Sequence, residues 1–148
     1  VDQLSVLGDQ DRLKQLFINL IDNAIKYTPE GGEVSLSLAK VDGWAQFEVK
    51  DTGMGIPAED LPYIFDRFYR VDKARARTKG GSGLGLSIVK WVAKAHGGDI
   101  LVESELGVGT TFTLKLPALM PMKTAVSPEV TSPGKTRPNL RLPFRRQD

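Results

Sequence analysis

Residues 11–28 read DRLKQLFINLIDNAIKYT, a stretch with the periodicity of an amphipathic helix. Its apolar residues recur at spacings of three and four, which places them on one stripe and predicts a helix from about Asp11 to Tyr27. The stripe consists of Leu13, Leu16, Phe17, Leu20, Ile21, Ala24 and Ile25. Residues 28–32, TPEGG, then end the helix, because proline and glycine do not continue it.

Two asparagines and a lysine share a second face of this helix. Asn19 and Asn23 are four residues apart and Lys26 follows three later, so the three side chains lie about a quarter-turn from the apolar stripe. Amide oxygens are hard ligands that suit Mg²⁺, and a lysine beside them suits phosphate groups. The alternative is that both amides are simply solvated on the helix surface.

The segments that follow predict a sheet covered by helices. Residues 33–41 and 44–49 alternate apolar and polar side chains around Asp42-Gly43, which predicts a β-hairpin. The other predicted elements are a short helix over 58–64, a helix over 84–95, and strands over 100–103 and 111–116. Helices that alternate with hairpin-linked strands indicate an α+β fold with a helix layer on one mixed sheet.

Length and composition limit the possible functions. The 148 residues are 41% hydrophobic and 26% charged, values typical of one soluble globular domain. The absence of cysteine and the single histidine exclude a disulfide framework, a thiol nucleophile and a metal site built from several imidazoles.

The formal net charge of +2 is unevenly distributed. Residues 118–148 hold six Lys and Arg against two acidic residues, a charge of +4, so the other 14 basic and 16 acidic residues give residues 1–117 a charge of −2. Residues 1–117 are thus acidic overall and contain no recognisable nucleic-acid-binding motif, which argues against nucleic-acid binding.

Residues 118–148 form a Pro-rich basic tail. Five of the nine prolines lie here among Ser, Thr and basic residues, without apolar periodicity. We expect this tail to be disordered, because it buries too little apolar surface to offset its ordering entropy. The alternatives are a polyproline-type ligand and a patch for a membrane surface.

Three further segments carry the residue types of a nucleotide site. Residues 51–55, DTGMG, follow a strand with a carboxylate able to accept a hydrogen bond from an amine such as adenine N6. Residues 80–86, GGSGLGL, precede a helix, where backbone N–H groups gather around phosphate, and the absence of Gly-Lys-Ser/Thr excludes a Walker P-loop. Residues 65–79 hold six basic residues, suitable for a lid over a polyphosphate. Taken singly, the three are also compatible with a capped turn, a flexible hinge and a solvated loop.

In this order, the motifs resemble the catalytic and ATP-binding domain of sensor histidine kinases, in the Bergerat-fold ATPase superfamily. The family's N box, first glycine box, F box, second glycine box and closing glycine-threonine motif correspond to residues 19–28, 51–55, 65–68, 81–86 and 107–112.

The resemblance covers residues 1–117, with an ATP lid at about 66–82, and leaves out the tail at 118–148. It implies a two-layer α/β sandwich in which a mixed, largely antiparallel sheet carries about three helices on one face.

The resemblance also implies roles for single residues. Asp51 would hold the adenine amino group with Thr111 in support, while Asn23, with Asn19 beside it, would coordinate or orient Mg²⁺. Phosphate contacts would come from Lys26, Tyr27, Arg67 and Arg70. The residues with an implied catalytic role are Asn19, Lys26, Arg67 and Arg70. The remaining implied nucleotide-binding positions are Gly53, Gly55, Ile56, Gly81, Gly83, Leu84, Gly85 and Leu86.

The residue at position 19 favours phosphoryl transfer over hydrolysis. In the superfamily's hydrolases the matching position is typically a glutamate that activates water, whereas the amide of Asn19 is a very poor base. A neutral imidazole acceptor needs no base, so a histidine kinase gains by leaving water unactivated.

His96 is the one histidine of the chain, and Gly97-Gly98 follow it. The family's phosphate acceptor is followed instead by an acidic residue and an Arg-Thr-Pro run, so we assign His96 a structural role at a helix C-terminus. The acceptor is then expected on a helical dimerisation domain preceding Val1 and absent from this chain, in keeping with the missing initiator Met.

The function implied is transfer of the γ-phosphoryl group of Mg-ATP to that histidine, for relay to a response regulator aspartate. The parent would be a homodimeric, membrane-bound sensor with this domain in the cytoplasm. This fragment alone would be a monomer that binds ATP and autophosphorylates poorly. The alternatives are a nucleotide-binding pseudokinase or partner-binding module, an anti-sigma-type serine kinase, and an ATP-driven machine.

Overall fold

The computed structural model describes residues 3–71 and 84–119. Its elements are helix α1 (Gln10–Lys26), strands β1 (Val34–Val41) and β2 (Trp44–Asp51), a 3₁₀ turn (Leu61–Tyr63), helix α2 (Gly85–Ala95), and strands β3 (Asp99–Glu105) and β4 (Gly109–Pro117). The two long helices, the hairpin and the closing strands are therefore confirmed.

The prediction of a short α-helix over 58–64 is wrong, because only a 3₁₀ turn over Leu61–Tyr63 forms there. In an α-helix the residue at position 62 would donate its N–H to Ala58, but Pro62 has no N–H. The Ala58 carbonyl instead accepts from Leu61, at 3.3 Å, in a tighter turn.

The four strands pair in the order β1-β2-β4-β3. All three pairings are antiparallel, so within the described part of the chain the sheet is antiparallel rather than mixed. This register places Asp51, at the end of β2, directly opposite Thr110, at the start of β4.

Helices α1 and α2 cover one face of the sheet. On β4 burial alternates, so that Phe112, Leu114 and Leu116 face the helices and meet Leu16 and Leu20 of α1 in the core. Each such large apolar side chain stabilises the native state by about 1.5–3 kcal/mol. Of the three helices expected, residues 3–71 and 84–119 contain two α-helices and the 3₁₀ turn, and no helix in these ranges is long and apolar enough to cross a membrane.

His96 joins the two helices at the C-terminal end of α2. Its Nδ1 lies 2.8 Å from the Val92 carbonyl oxygen, and its Nε2 accepts a hydrogen bond from the Asp9 N–H at 3.0 Å. Asp9 in turn caps α1 by accepting from the Arg12 N–H. Both ring nitrogens are therefore engaged by backbone, which fits the structural role predicted for this histidine.

Candidate nucleotide-binding site

Asp51 provides a buried acidic group at the end of β2. Its side chain is only 6% exposed, and it accepts hydrogen bonds from the backbone N–H groups of Gly53, at 2.8 Å, and Thr110. Burial raises the pKa of Asp51, although these two hydrogen bonds act in the opposite direction. A buried hydrogen-bond acceptor of this kind suits a ligand that carries a hydrogen-bond donor.

The loop after Asp51 passes between the end of α1 and the end of β3. A Cβ on Gly53 would lie 2.3 Å from the Tyr27 carbonyl oxygen, and a Cβ on Gly55 would lie 2.1 Å from the Glu105 carbonyl oxygen. Gly55 also has a φ of +75°, which side chains rarely adopt. Only glycine fits at both positions, so the first glycine box is packed tightly against two backbone segments.

The C-terminal end of α1 lies against this loop. The Tyr27 N–H donates to the Asn23 carbonyl at 3.2 Å, and the Tyr27 carbonyl accepts from the Met54 N–H at 3.4 Å. The helix face of Asn19, Asn23 and Lys26 is half-buried and leads to this junction. The structure therefore brings the N box and the first glycine box together.

Two amide side chains fit a Mg²⁺ ion that is held mainly by a nucleotide. Among the described residues, no group of three or more His, Cys, Asp or Glu is arranged to hold a metal. Mg²⁺ in nucleotide sites takes few protein ligands and completes its shell with water and phosphate oxygens. Asn19 and Asn23, on adjacent turns of one helix face, match that requirement.

The F box is anchored in the core; Arg67 lies within it and Arg70 follows two residues after its end. The Phe65 ring packs edge-on against Phe112, with centroids 6.2 Å apart. Arg67 is exposed with its guanidinium over the Phe68 ring, and Arg70 is half-buried. The remainder of the predicted lid, with Gly81 and Gly83, lies outside the described residues.

Tyr69 holds the F-box loop to the segment before it. Its hydroxyl donates to the Asp60 carboxylate, and this hydrogen bond is the main reason that the pKa of Tyr69 rises to about 12. The Tyr69 ring also contacts Tyr63, with centroids 5.7 Å apart. These two contacts brace the loop that carries Arg67 and Arg70.

The described part of the second glycine box begins α2. The Leu84 carbonyl accepts from the Ile88 N–H and from the Ser87 hydroxyl, at 3.0 and 2.8 Å. Gly85 is the exposed first residue of the helix, and Leu86 packs against the core. This arrangement puts residues 84–86 at a helix N-terminus, where the sequence predicted them.

The structure separates Thr111 from Asp51. Thr111 lies on the outer face of the sheet, whereas the neighbouring Thr110 is 6% exposed on the same face as Asp51. The placement argues against contact between the Thr111 side chain and a base held at Asp51. The signal that identifies Thr110 is its spacing of two from the buried Phe112.

Sequence reasoning also missed Ser104, on β3. Its hydroxyl oxygen accepts from the Ile56 N–H at 2.8 Å and lies 2.8 Å from Thr110 Oγ1. Ile56, which the resemblance implies as a nucleotide-binding position, is held in place through this serine.

The fold and these residues agree with a sequence comparison. The profile described as histidine kinase-, DNA gyrase B-, and HSP90-like ATPase matches residues 8–120. The chain belongs to this ATPase family. Membership of this family implies that the nucleotide bound is ATP.

Similar curated members of the ATPase family are sensor kinases. The chain is 52% identical over 111 residues to the sensor histidine kinase WalK of Bacillus subtilis, and 51% identical over 109 residues to the sensor protein SrrB of Staphylococcus aureus. Each match covers 74% of this chain, but only 18% of WalK and 19% of SrrB. The chain thus spans less than a fifth of these relatives.

Solved structures of the ATPase family have the same fold. The mycobacterial sensor histidine kinase MprB matches with a TM-score of 0.70 and 38% identity, over 78% of both chains. The catalytic domain of the histidine kinase ThkA matches with a TM-score of 0.64 and 33% identity, over 76% of this chain and 71% of that one. Full-length ShkA in complex with AMPPNP matches with a TM-score of 0.66 and 37% identity, over 78% of this chain and 23% of that one. The described residues therefore form a histidine kinase-type ATPase catalytic domain.

Proposed function

We propose that this chain is the ATP-binding kinase domain of a sensor histidine kinase. It transfers the γ-phosphoryl group of Mg-ATP to a histidine on a separate dimerisation domain, from which the group passes to a response regulator aspartate. The observation that carries the proposal is the buried Asp51 carboxylate, followed by a glycine-box loop that is hydrogen-bonded through Met54 to the C-terminal end of α1. The likeness to WalK, SrrB and MprB adds support.

Each element of the site has a part in this reaction. The Asp51 carboxylate accepts from the adenine amino group, and Thr110 lies beside it. Asn23 and Asn19 hold Mg²⁺, which when bound neutralises charge on the phosphate oxygens. Lys26, Arg67 and Arg70 provide cations for the phosphates, and Tyr27 provides a hydroxyl.

The chemical step needs no general base from this domain. A neutral imidazole nitrogen attacks the γ-phosphorus, a nitrogen–phosphorus bond forms, and the bond to the β,γ-bridging oxygen breaks as ADP leaves. The attacking nitrogen carries a lone pair and no proton, so no general base is needed at position 19. A carboxylate at this position would instead activate water. A serine acceptor would need its hydroxyl proton removed, which disfavours the serine-kinase alternative.

The wider setting belongs to the same proposal. The parent is a homodimeric sensor, membrane-bound with this domain in the cytoplasm, and this domain alone is a monomer. Residues 1–117 form the ATP-binding unit, and residues 118–148 form a tail outside it. The further phosphate-binding positions, Gly81, Gly83 and the lid cations, lie outside the described residues.

The test is nucleotide binding followed by transfer to a supplied acceptor. We expect calorimetry to show Mg²⁺-dependent binding of ATP by the chain, and radiolabelled ATP to label an added dimerisation domain from a related kinase on its histidine. The same dimerisation domain with its acceptor histidine replaced by Gln should stay unlabelled. His96 should stay unlabelled too, since both of its ring nitrogens contact backbone. Binding without transfer would support the pseudokinase alternative, and strong labelling of His96 would contradict the proposal.

Asn19→Glu should raise ATP hydrolysis in the absence of an acceptor about tenfold, because a carboxylate at this position can take a proton from water. The measurement is the rate of ADP release. Gln15→Glu is the matched control, since Gln15 is an exposed amide one turn earlier on the same helix. Equal ADP release by both variants and the unaltered chain would show that position 19 does not control water activation.

A further inference from the structure

The Ser104 hydroxyl joins three segments of the site. It accepts a hydrogen bond from the Ile56 N–H at 2.8 Å, which holds the end of the glycine-box loop. It lies 3.0 Å from the Gly109 carbonyl oxygen and 2.8 Å from Thr110 Oγ1. Ser104 itself is half-buried on β3, directly opposite Thr110 in the strand register.

The number of hydroxyl protons fixes the direction of these bonds. Ser104 has one O–H proton, and the Gly109 carbonyl can only accept. Both contacts are hydrogen bonds at once only if Ser104 donates to Gly109 and Thr110 donates to Ser104. The Thr110 hydroxyl proton is then committed to Ser104, and the lone pairs of Thr110 Oγ1 remain for a ligand.

The end of the sheet therefore offers two neighbouring acceptors. The Asp51 carboxylate has no proton to donate when ionised, and the Thr110 N–H binds it directly. A pair of acceptors favours a ligand with an exocyclic amine, which can donate a hydrogen bond to them. It disfavours a carbonyl oxygen at the same position, because the lone pairs of that oxygen would face the lone pairs of the two acceptors.

We propose that Ser104 is a positioning residue that sets the base selectivity of this site, by holding the Thr110 hydroxyl as an acceptor for a 6-amino purine. The proposal rests on the proposed function, in which the base of ATP lies at Asp51. Ser104 acts through Thr110 and through the loop at Ile56, and does not itself contact the nucleotide.

The test compares ATP with inosine triphosphate, which carries a 6-oxo group in place of the amine. Ser104→Ala releases the Thr110 proton, which can then be donated to the 6-oxo group. We expect the ratio of the ATP and inosine triphosphate affinities, measured by calorimetry, to fall about three- to tenfold, the value of one hydrogen bond. Ser104→Thr keeps the hydroxyl and should restore the ratio. Ser37→Ala, on an exposed position of β1, is the matched control and should leave it unchanged.

A second variant tests the same link without altering Ser104. Thr110→Val removes the acceptor and should lower the ratio of the ATP and inosine triphosphate affinities by a similar factor. Adding Ser104→Ala to Thr110→Val should lower this ratio no further. Thr110→Ser keeps the hydroxyl and should preserve the ratio.

Three outcomes separate the two proposals. Equal loss of affinity for both nucleotides in Ser104→Ala, or an unchanged ratio in Thr110→Val, would overturn the role of Ser104. Failure of the unaltered chain to bind ATP would overturn the proposed function instead. Thermal unfolding of each variant distinguishes a narrowed ratio from partial loss of the fold.

Discussion

Asp51→Ala is expected to weaken Mg-ATP binding at least about 30-fold, because a hydrogen bond to a charged group contributes about 1.5–3 kcal/mol and two more bonds are lost with it. The Gly53 and Thr110 N–H groups both use this carboxylate as their acceptor, so its removal also releases the loop and the start of β4. Calorimetric titration with ATP measures the loss. Glu48→Ala, on the outer face of the same strand, is the control and should bind normally. Binding within a few-fold of normal in Asp51→Ala would place the base elsewhere.

The same carboxylate makes the affinity depend on pH. Burial raises the pKa of Asp51, so it takes up a proton at a higher pH than an ordinary aspartate does. ATP affinity should therefore fall as the pH falls through this raised pKa, because a protonated carboxyl loses acceptor capacity. The free energy of unfolding depends on pH in the opposite direction. The stabilising contribution of Asp51 is fully present below the pKa that it has in the unfolded state, and it is lost as the pH rises through the higher pKa of the folded state. Asp51→Asn should remove both dependences.

The parts of the site that the sequence predicts are those with a local pattern. The spacing of Leu13, Leu16 and Leu20 is enough to predict α1, and the face of Asn19 and Asn23 follows from the same periodicity. Asp51 is recognisable because a carboxylate followed by closely spaced glycines ends an alternating strand.

The parts that the sequence does not predict depend on contacts between distant segments. Ser104 and Ile56 are 48 residues apart and meet only because β3 lies at the sheet edge beside the glycine-box loop. The choice between Thr110 and Thr111 depends on which face of β4 is covered by helices, and a one-residue change of register reverses it. The helix wrongly predicted over 58–64 has a different cause. The missing N–H of Pro62 is a local signal against an α-helix, but the helix-like pattern of the residues around it obscured that signal.

Gly55→Ala is expected to lower the free energy of unfolding by about 3 kcal/mol or more, which for a domain of this size lowers Tm by roughly 10 °C or more. The added methyl group would lie 2.1 Å from the Glu105 carbonyl oxygen, a backbone atom that no side-chain rotation can move away. The loop would have to leave β3, so Ile56 would lose its bond to Ser104 and ATP binding should fall with stability. Thermal unfolding and calorimetric titration measure the two effects.

Gly43→Ala separates the steric clash from backbone strain. Gly43 has a φ of +83°, close to the +75° of Gly55, but nothing lies within 4 Å of a Cβ placed on it. Its substitution should therefore cost only the strain of a left-handed alanine, about 1 kcal/mol, and leave ATP binding unchanged. The difference between the two variants measures the contact with Glu105, because the strain term is common to both. Equal destabilisation by the two substitutions would mean that the loop can move away from β3 at little cost, and that the tight packing of the first glycine box does not hold the nucleotide site in place.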